Sequence, residues 1–148
     1  MTGVRCLALL VLFLGVAAGC YDQGTKLYRN RDAVRTSLQD INNVLSGYVS
    51  LYAPKEIQVT RDSVQVWIAL LREPRNQNEL KFTADTMCQH VVDTLDGMDI
   101  SPERDKVTIT VHVVSVADAA AQVAEPADFA TSSYDPATDQ VSFRAPGQ

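Results

Sequence analysis

An unbroken apolar run at residues 6–16, preceded by Arg5 and followed by Ala17, Ala18, Gly19 and Cys20, decides which part of this chain folds. Counted through Cys20 the run is about 15 residues, short of the ~20 that a helix needs to cross the hydrocarbon core of a bilayer. A basic start, an apolar centre and small residues before an abrupt polar change match a secretory signal peptide. Removal of residues 1–19 is therefore expected, leaving 129 of 148 residues to fold, which is one domain's worth and enough for a core.

Without Arg5 the balance is 12 basic against 18 acidic residues, or −6 with both histidines neutral. That charge argues against nucleic acid as a partner. Residues 20–26 form a short polar tether. Beyond it, Val34, Leu38, Ile41 and Leu45 recur at spacings of four, three and four, with Gln39, Asp40, Asn42 and Asn43 opposite. This is an amphipathic helix over about residues 27–46. Tyr48 and Tyr52 extend the stripe although residues 48–52 are also rich in strand formers, and Pro54 ends either version.

Residues 57–60 and 64–71 read as two strands joined by a turn at Arg61, Asp62 and Ser63, with Ile57, Val59, Val64, Val66, Ile68 and Leu70 facing inward. A loop through Pro74 leads to Asn78 as an N-cap and a second helix over residues 79–97. Leu80, Ala84, Met87, Cys88, Val91, Leu95 and Met98 stripe that helix, and Asp96 and Gly97 are its expected end. Residues 106–116 are the clearest strand, Val107, Ile109, Val111 and Val113 alternating with Thr108, Thr110 and His112. The expected fold is α+β, a two-layer sandwich in the order helix, strand, strand, helix, strand, with both helices on one face and a domain spanning residues 27–116. Residues 117–148 are acidic and rich in Ala, Ser, Thr and Pro, and their composition suggests disorder. Within them, residues 129–143 nonetheless have the form of a hairpin around a polar turn.

No catalytic residues are assigned. Cys88 and His90 project about 200° apart on a helix and cannot share one ion without distortion. Asp93, Asp96 and Asp99 lack an EF-hand pattern, and neither a phosphate loop, a nucleophile elbow nor a zinc-protease motif occurs. No metal or cofactor is expected. The candidate interaction surface is the sheet face away from the helices, where Trp67, Gln65, Thr60, Thr108, Thr110 and His112 would gather around the sole tryptophan. The competing expectation is that the carboxy-terminal segment, through Phe129, Tyr134 or Phe143, covers Trp67. Lys26, Arg29, Arg31 and Arg35 give the first helix a basic start near the expected membrane surface.

Ala17, Ala18, Gly19 and Cys20 resemble the lipobox of bacterial lipoproteins. The resemblance implies cleavage before Cys20 and its acylation, so that membrane lipid is the first partner. Two or three acyl chains, at about 0.8 kcal/mol per buried methylene, anchor stably. Under that reading Cys6 is lost, Cys20 is blocked, and Cys88 has no disulfide partner. Tyr21 stands where Asp would favour inner-membrane retention, implying an outer-membrane position facing the periplasm in a Gram-negative host and the cell surface otherwise. The element order over residues 27–116 is also similar in topology to BON-type envelope lipoprotein domains. The expected function is a non-catalytic envelope interaction or assembly module with a protein partner. Alternatives are a lipid- or small-ligand-binding lipoprotein, which needs an apolar cavity, and an envelope hydrolase, which needs an acid beside His112.

Overall fold

A computed structural model describes residues 24–147. The expected signal, Cys20 and the first part of the tether lie outside the described residues. The chain is a mixed α+β fold built on one six-stranded sheet. In chain order the elements are α1 (Lys26–Arg29), α2 (Arg31–Leu38), α3 (Ile41–Val44), β1 (Val49–Leu51), β2 (Ile57–Val59), β3 (Ser63–Leu70), α4 (Gln77–Gly97), β4 (Thr108–Val114), α5 (Val116–Ala120), β5 (Ala130–Asp135) and β6 (Gln140–Arg144).

The expected first helix is divided into three. Asn30 leaves the helical region at ψ 13°, and Gln39 and Asp40 form a turn before Ile41. The apolar stripe survives these breaks, because Leu27, Val34, Leu38 and Ile41 all enter the core. α4 starts one residue pair earlier than expected. Asn76, not Asn78, is extended and its side chain accepts the Glu79 N–H at 2.9 Å. At the other end Gly97 stays helical and Asp99 takes the left-handed conformation, φ 59°. The Ile100 N–H returns to Leu95 O at 2.9 Å and the Asp99 N–H to Asp96 O at 2.9 Å, while Ile100 joins Leu95 in the core. This is a Schellman closure using aspartate where glycine is usual.

β3 and β4 run parallel, joined through α4, and every other pairing in the sheet is antiparallel. β1 and β2 lie end to end along the same side of β3. Between them residues 52–56 loop out opposite Trp67, whose carbonyl accepts the Tyr52 N–H at 2.8 Å and whose N–H donates to Glu56 O at 2.9 Å. Both main-chain groups of Trp67 are thus satisfied across an extended bulge, with Glu56 at φ 51°.

The sheet continues past residue 116. The segment with a disorder-like composition supplies β5 and β6, a hairpin that pairs on β4 through Ile109 to Tyr134 and Val113 to Ala130. Burial of Ala130 and Tyr134 against the core supplies the free energy that composition alone would not suggest. Ser132 is fully buried in the same row, its hydroxyl donating to Asp85 Oδ1 at 2.5 Å.

One face of the sheet, carrying Val64, Val66, Ile68, Ile109, Val111 and Val113, packs against α2 and α4 through Val34, Met87, Val91 and Leu95. All ten of these side chains are wholly removed from solvent. Cys88 is buried among them as a free thiol, and burial, followed by the charge of Asp85, pushes it up to about 12.

Candidate functional site

The far face of the sheet is an ordered lattice. Trp67, His112, Thr131 and Arg144 stand in one cross-strand row from β3 to β6, and Gln65, Thr110, Ser133 and Ser142 form the next. Registration of β3 on β4 brings the Trp67 and His112 rings into a parallel stack, centroids 4.4 Å apart and planes 8° apart. His112 Nδ1 meets Asp128 Oδ1 at 2.8 Å, and Nε2 meets Gln65 Oε1 at 3.1 Å. An imidazolium donates to both oxygens, and a neutral ring keeps both contacts if Gln65 presents its amide nitrogen instead.

Trp67 is not free for recognition: only 8% of its surface reaches solvent. This corrects the expectation of an open tryptophan face. The cover differs from the predicted one, because Phe129, Tyr134 and Phe143 belong to the helix-side core. Trp67 packs instead with Tyr52, Ala69, Val114 and, from α5, Ala119. Lys55 lies over the indole at 5.7 Å and pairs with Glu125. The Tyr52 hydroxyl donates to Val123 O, and burial, followed by the charge of Asp118, raises its pKa. Residues 115–128 are therefore strapped across this face at Val123, Glu125 and Asp128.

Of the other residues expected on that surface, Thr60 belongs to the β2–β3 turn, bonded to Ser63, and Thr108 is exposed with its N–H on Asp62 O at 3.0 Å. Gln65, Thr110 and His112 are half-buried. Thr110 and His112 border an open trough of about 570 Å³ with Asp128, Thr131, Ser133, Ser142 and Arg144. Asp128 is the ordered acid that a hydrolase reading requires beside His112. In this arrangement Nδ1 is engaged by Asp128, Nε2 by Gln65 and one ring face by Trp67.

His90, Asp93 and Asp99 have structural partners. His90 Nε2 meets Asp40 Oδ1 at 3.0 Å, tying α4 to the α2–α3 turn, and Asp93 accepts from Gln89 at 2.9 Å. Asp99 pairs with Lys26 at 2.5 Å, an interaction that holds its carboxyl below the usual range. Arg31 and Arg35 share Asp32, at 4.0 and 3.6 Å. Among the described residues no group of three or more metal-ligating side chains converges.

A second surface was not singled out by pattern. Phe82 on α4 is 63% exposed and Tyr48, just before β1, is 43% exposed. They flank a cleft of about 260 Å³ completed by Leu45, Glu79 and Thr83. Arg72 stacks on Tyr48 with its guanidinium carbon 4.2 Å from the ring centroid. Glu79 fixes Arg72 at 2.5 Å and also accepts the Arg75 N–H at 2.6 Å. The Arg72 hydrogen bond, followed by that N–H, lowers the Glu79 pKa, while the Glu79 hydrogen bond raises that of Arg72. The ledge is thus an exposed aromatic pair beside a guanidinium locked in place, a combination enriched where proteins dock. Its sequence signal was available: Phe82 is a large apolar residue lying outside the Leu80, Ala84, Met87, Val91 stripe.

No protein-family model, no curated protein and no solved structure matches this chain.

Proposed function

We propose that the chain is an exported lipoprotein held at the membrane by acylated Cys20, and that its folded domain is a non-catalytic interaction module for an envelope protein. The portion at residues 27–116, BON-like in its expected order although β1 adds a third strand before α4, is in this reading the scaffold, and no functional residue is carried over from that resemblance. The observation that carries the interaction role is the Tyr48 and Phe82 ledge with its fixed Arg72. Its position supports the same reading. The chain enters the domain at the other end of α4, where Lys26 meets Asp99, and Phe82 lies about 20 Å along the helix from Gly97. A short tether at that end leaves the aromatic pair directed at a partner rather than at the anchoring bilayer. In a Gram-negative host the proposed site of action is the outer membrane, facing the periplasm.

Two substitutions test the parts separately. Cys20→Ala should release the protein from the membrane fraction, and retention would remove the lipid anchor from the proposal. Phe82→Ala with Tyr48→Ala should leave the protein anchored and folded while abolishing the partner cross-linked to the native protein in its own membrane. Unchanged cross-linking would exclude the ledge.

A second reading, a small-ligand lipoprotein, has one observation in its favour, the trough beside Thr110 and Arg144. Its polar lining suits a small hydrophilic molecule, and the filled space between α2, α4 and the sheet disfavours an acyl chain.

A further inference from the structure

The two edges of the sheet are built differently. The β1 and β2 edge is cut into strands of three residues by the loop at 52–56, which carries Pro54, Lys55 and Glu56. Short strands, a bulge, proline and charge are the devices that stop an edge from pairing with another chain. β6 carries neither a proline nor a bulge, and its one charge, Arg144, stands at its end. Gln140–Arg144 runs without proline, and among the described residues its only neighbour in the sheet is β5. Its inward side chains, Val141 and Phe143, are half-buried on the rim of the core. Arg144 ends the row on the other face, and its guanidinium forms no hydrogen bond or ion pair among the described residues.

We infer that this edge pairs with the same edge of a second copy, antiparallel and centred on Ser142. The five residues are complementary to their own reversal. In that register Phe143 faces Val141 of the other copy on the helix side, an aromatic and β-branched pair that extends the apolar layer across the junction. Arg144 faces Gln140 on the opposite side and gains a hydrogen-bond acceptor, and Ser142 faces itself on the twofold axis. A centre at Arg144 would oppose two guanidinium groups, and a centre at Val141 would set Asp139 against Phe143. The result is a continuous twelve-stranded sheet with an isologous, self-limiting interface.

Oxidative cross-linking of the full chain in membranes tests the register. Opposed residues in an antiparallel pair have Cα atoms about 4.5–5.5 Å apart, inside the roughly 4.4–6.8 Å that a disulfide spans. Ser142→Cys should give a disulfide-linked dimer, and Gln140→Cys combined with Arg144→Cys should do the same. Gln140→Cys alone and Ser133→Cys, one strand inward, should give none beyond the native background. Equal cross-linking by Gln140→Cys and Ser142→Cys, or none by either Ser142→Cys or the double variant, overturns the inference. As an independent measure, the native protein in detergent should sediment as a dimer. Val141→Lys, which points a charge inward at the edge, should weaken self-association roughly tenfold or more with an unchanged circular dichroism spectrum. A native monomer, or a dimer indifferent to Val141→Lys, also overturns it. Neither result bears on the Tyr48 and Phe82 ledge, which lies on other elements.

Discussion

Trp67 and His112 face each other from neighbouring parallel strands, their rings stacked at 4.4 Å, and together they anchor a second small core on the side of the sheet away from the long helix. Trp67→Ala should cost about 3 kcal/mol, because truncating a buried tryptophan removes both apolar area and packing partners. Urea unfolding followed by far-ultraviolet circular dichroism measures the loss. A cost below that of a typical surface substitution would mean the cluster contributes nothing.

His112→Ala removes the stack and both imidazole contacts, for a loss of roughly 1–3 kcal/mol. Trp67 is the sole tryptophan, so its fluorescence reports on this site alone. Emission should shift to longer wavelength as water reaches the indole, and Asp128→Ala should produce a smaller shift in the same direction.

Cys88 predicts an alkaline slope in stability. Its thiol is pushed up to about 12 in the fold, whereas a free thiol titrates near 8.5. Above about pH 8.5 the unfolded chain releases this proton and the folded chain does not, so stability falls as pH rises, approaching about 1.4 kcal/mol per unit. Denaturation midpoints between pH 8 and 10 should decline for the native protein and less steeply for Cys88→Ala.

Glu79 predicts the opposite end of the profile. Its folded pKa is lowered by Arg72 and the Arg75 N–H, so its contribution is complete above the ordinary glutamate range near 4.3 and is lost as pH falls through the lowered value. The stability gap between the native protein and Glu79→Gln should therefore be constant at neutral pH and close on acidification. Arg72 should lose its order over Tyr48 in the same variant, measurable as broadened arginine side-chain resonances.

Asn76→Ala removes the side-chain oxygen that receives the Glu79 N–H in the first turn of the long helix and should destabilise the protein by about 1 kcal/mol. Asn76→Asp, which keeps the acceptor and adds charge at the positive helix end, should be neutral or stabilising.

Where a residue's environment is set by its near neighbours, the sequence was sufficient. The alternation over Val107 to Val113 and the stripe from Leu80 to Leu95 each reached the core face as expected, because period and burial coincide there. Alternation also put Trp67, Thr110 and His112 on the opposite face correctly. What covers that face was not legible, since Ala119 and Val123 belong to a stretch with no periodicity and act only through a strap fixed at Tyr52, Lys55 and His112. The hairpin was visible in outline, but its docking depends on small inward residues, Ala130 and Ser132, that carry little apolar signal. The ledge escaped because Tyr48 is equally suited to helix and strand, and because the Arg72 and Glu79 pair spans a loop whose path one sequence does not fix.

The grip of the chain's first described residues has a mechanical consequence. Thr25 donates to Arg61 O in the β2–β3 turn, and Lys26 holds Asp99 just past the end of α4. Under the proposed anchoring, a pull on the residues before Gly24 would be divided at once between the sheet and the long helix. Such a pull would have to break both attachments to peel away α1, so a domain anchored as proposed should resist unravelling from this end.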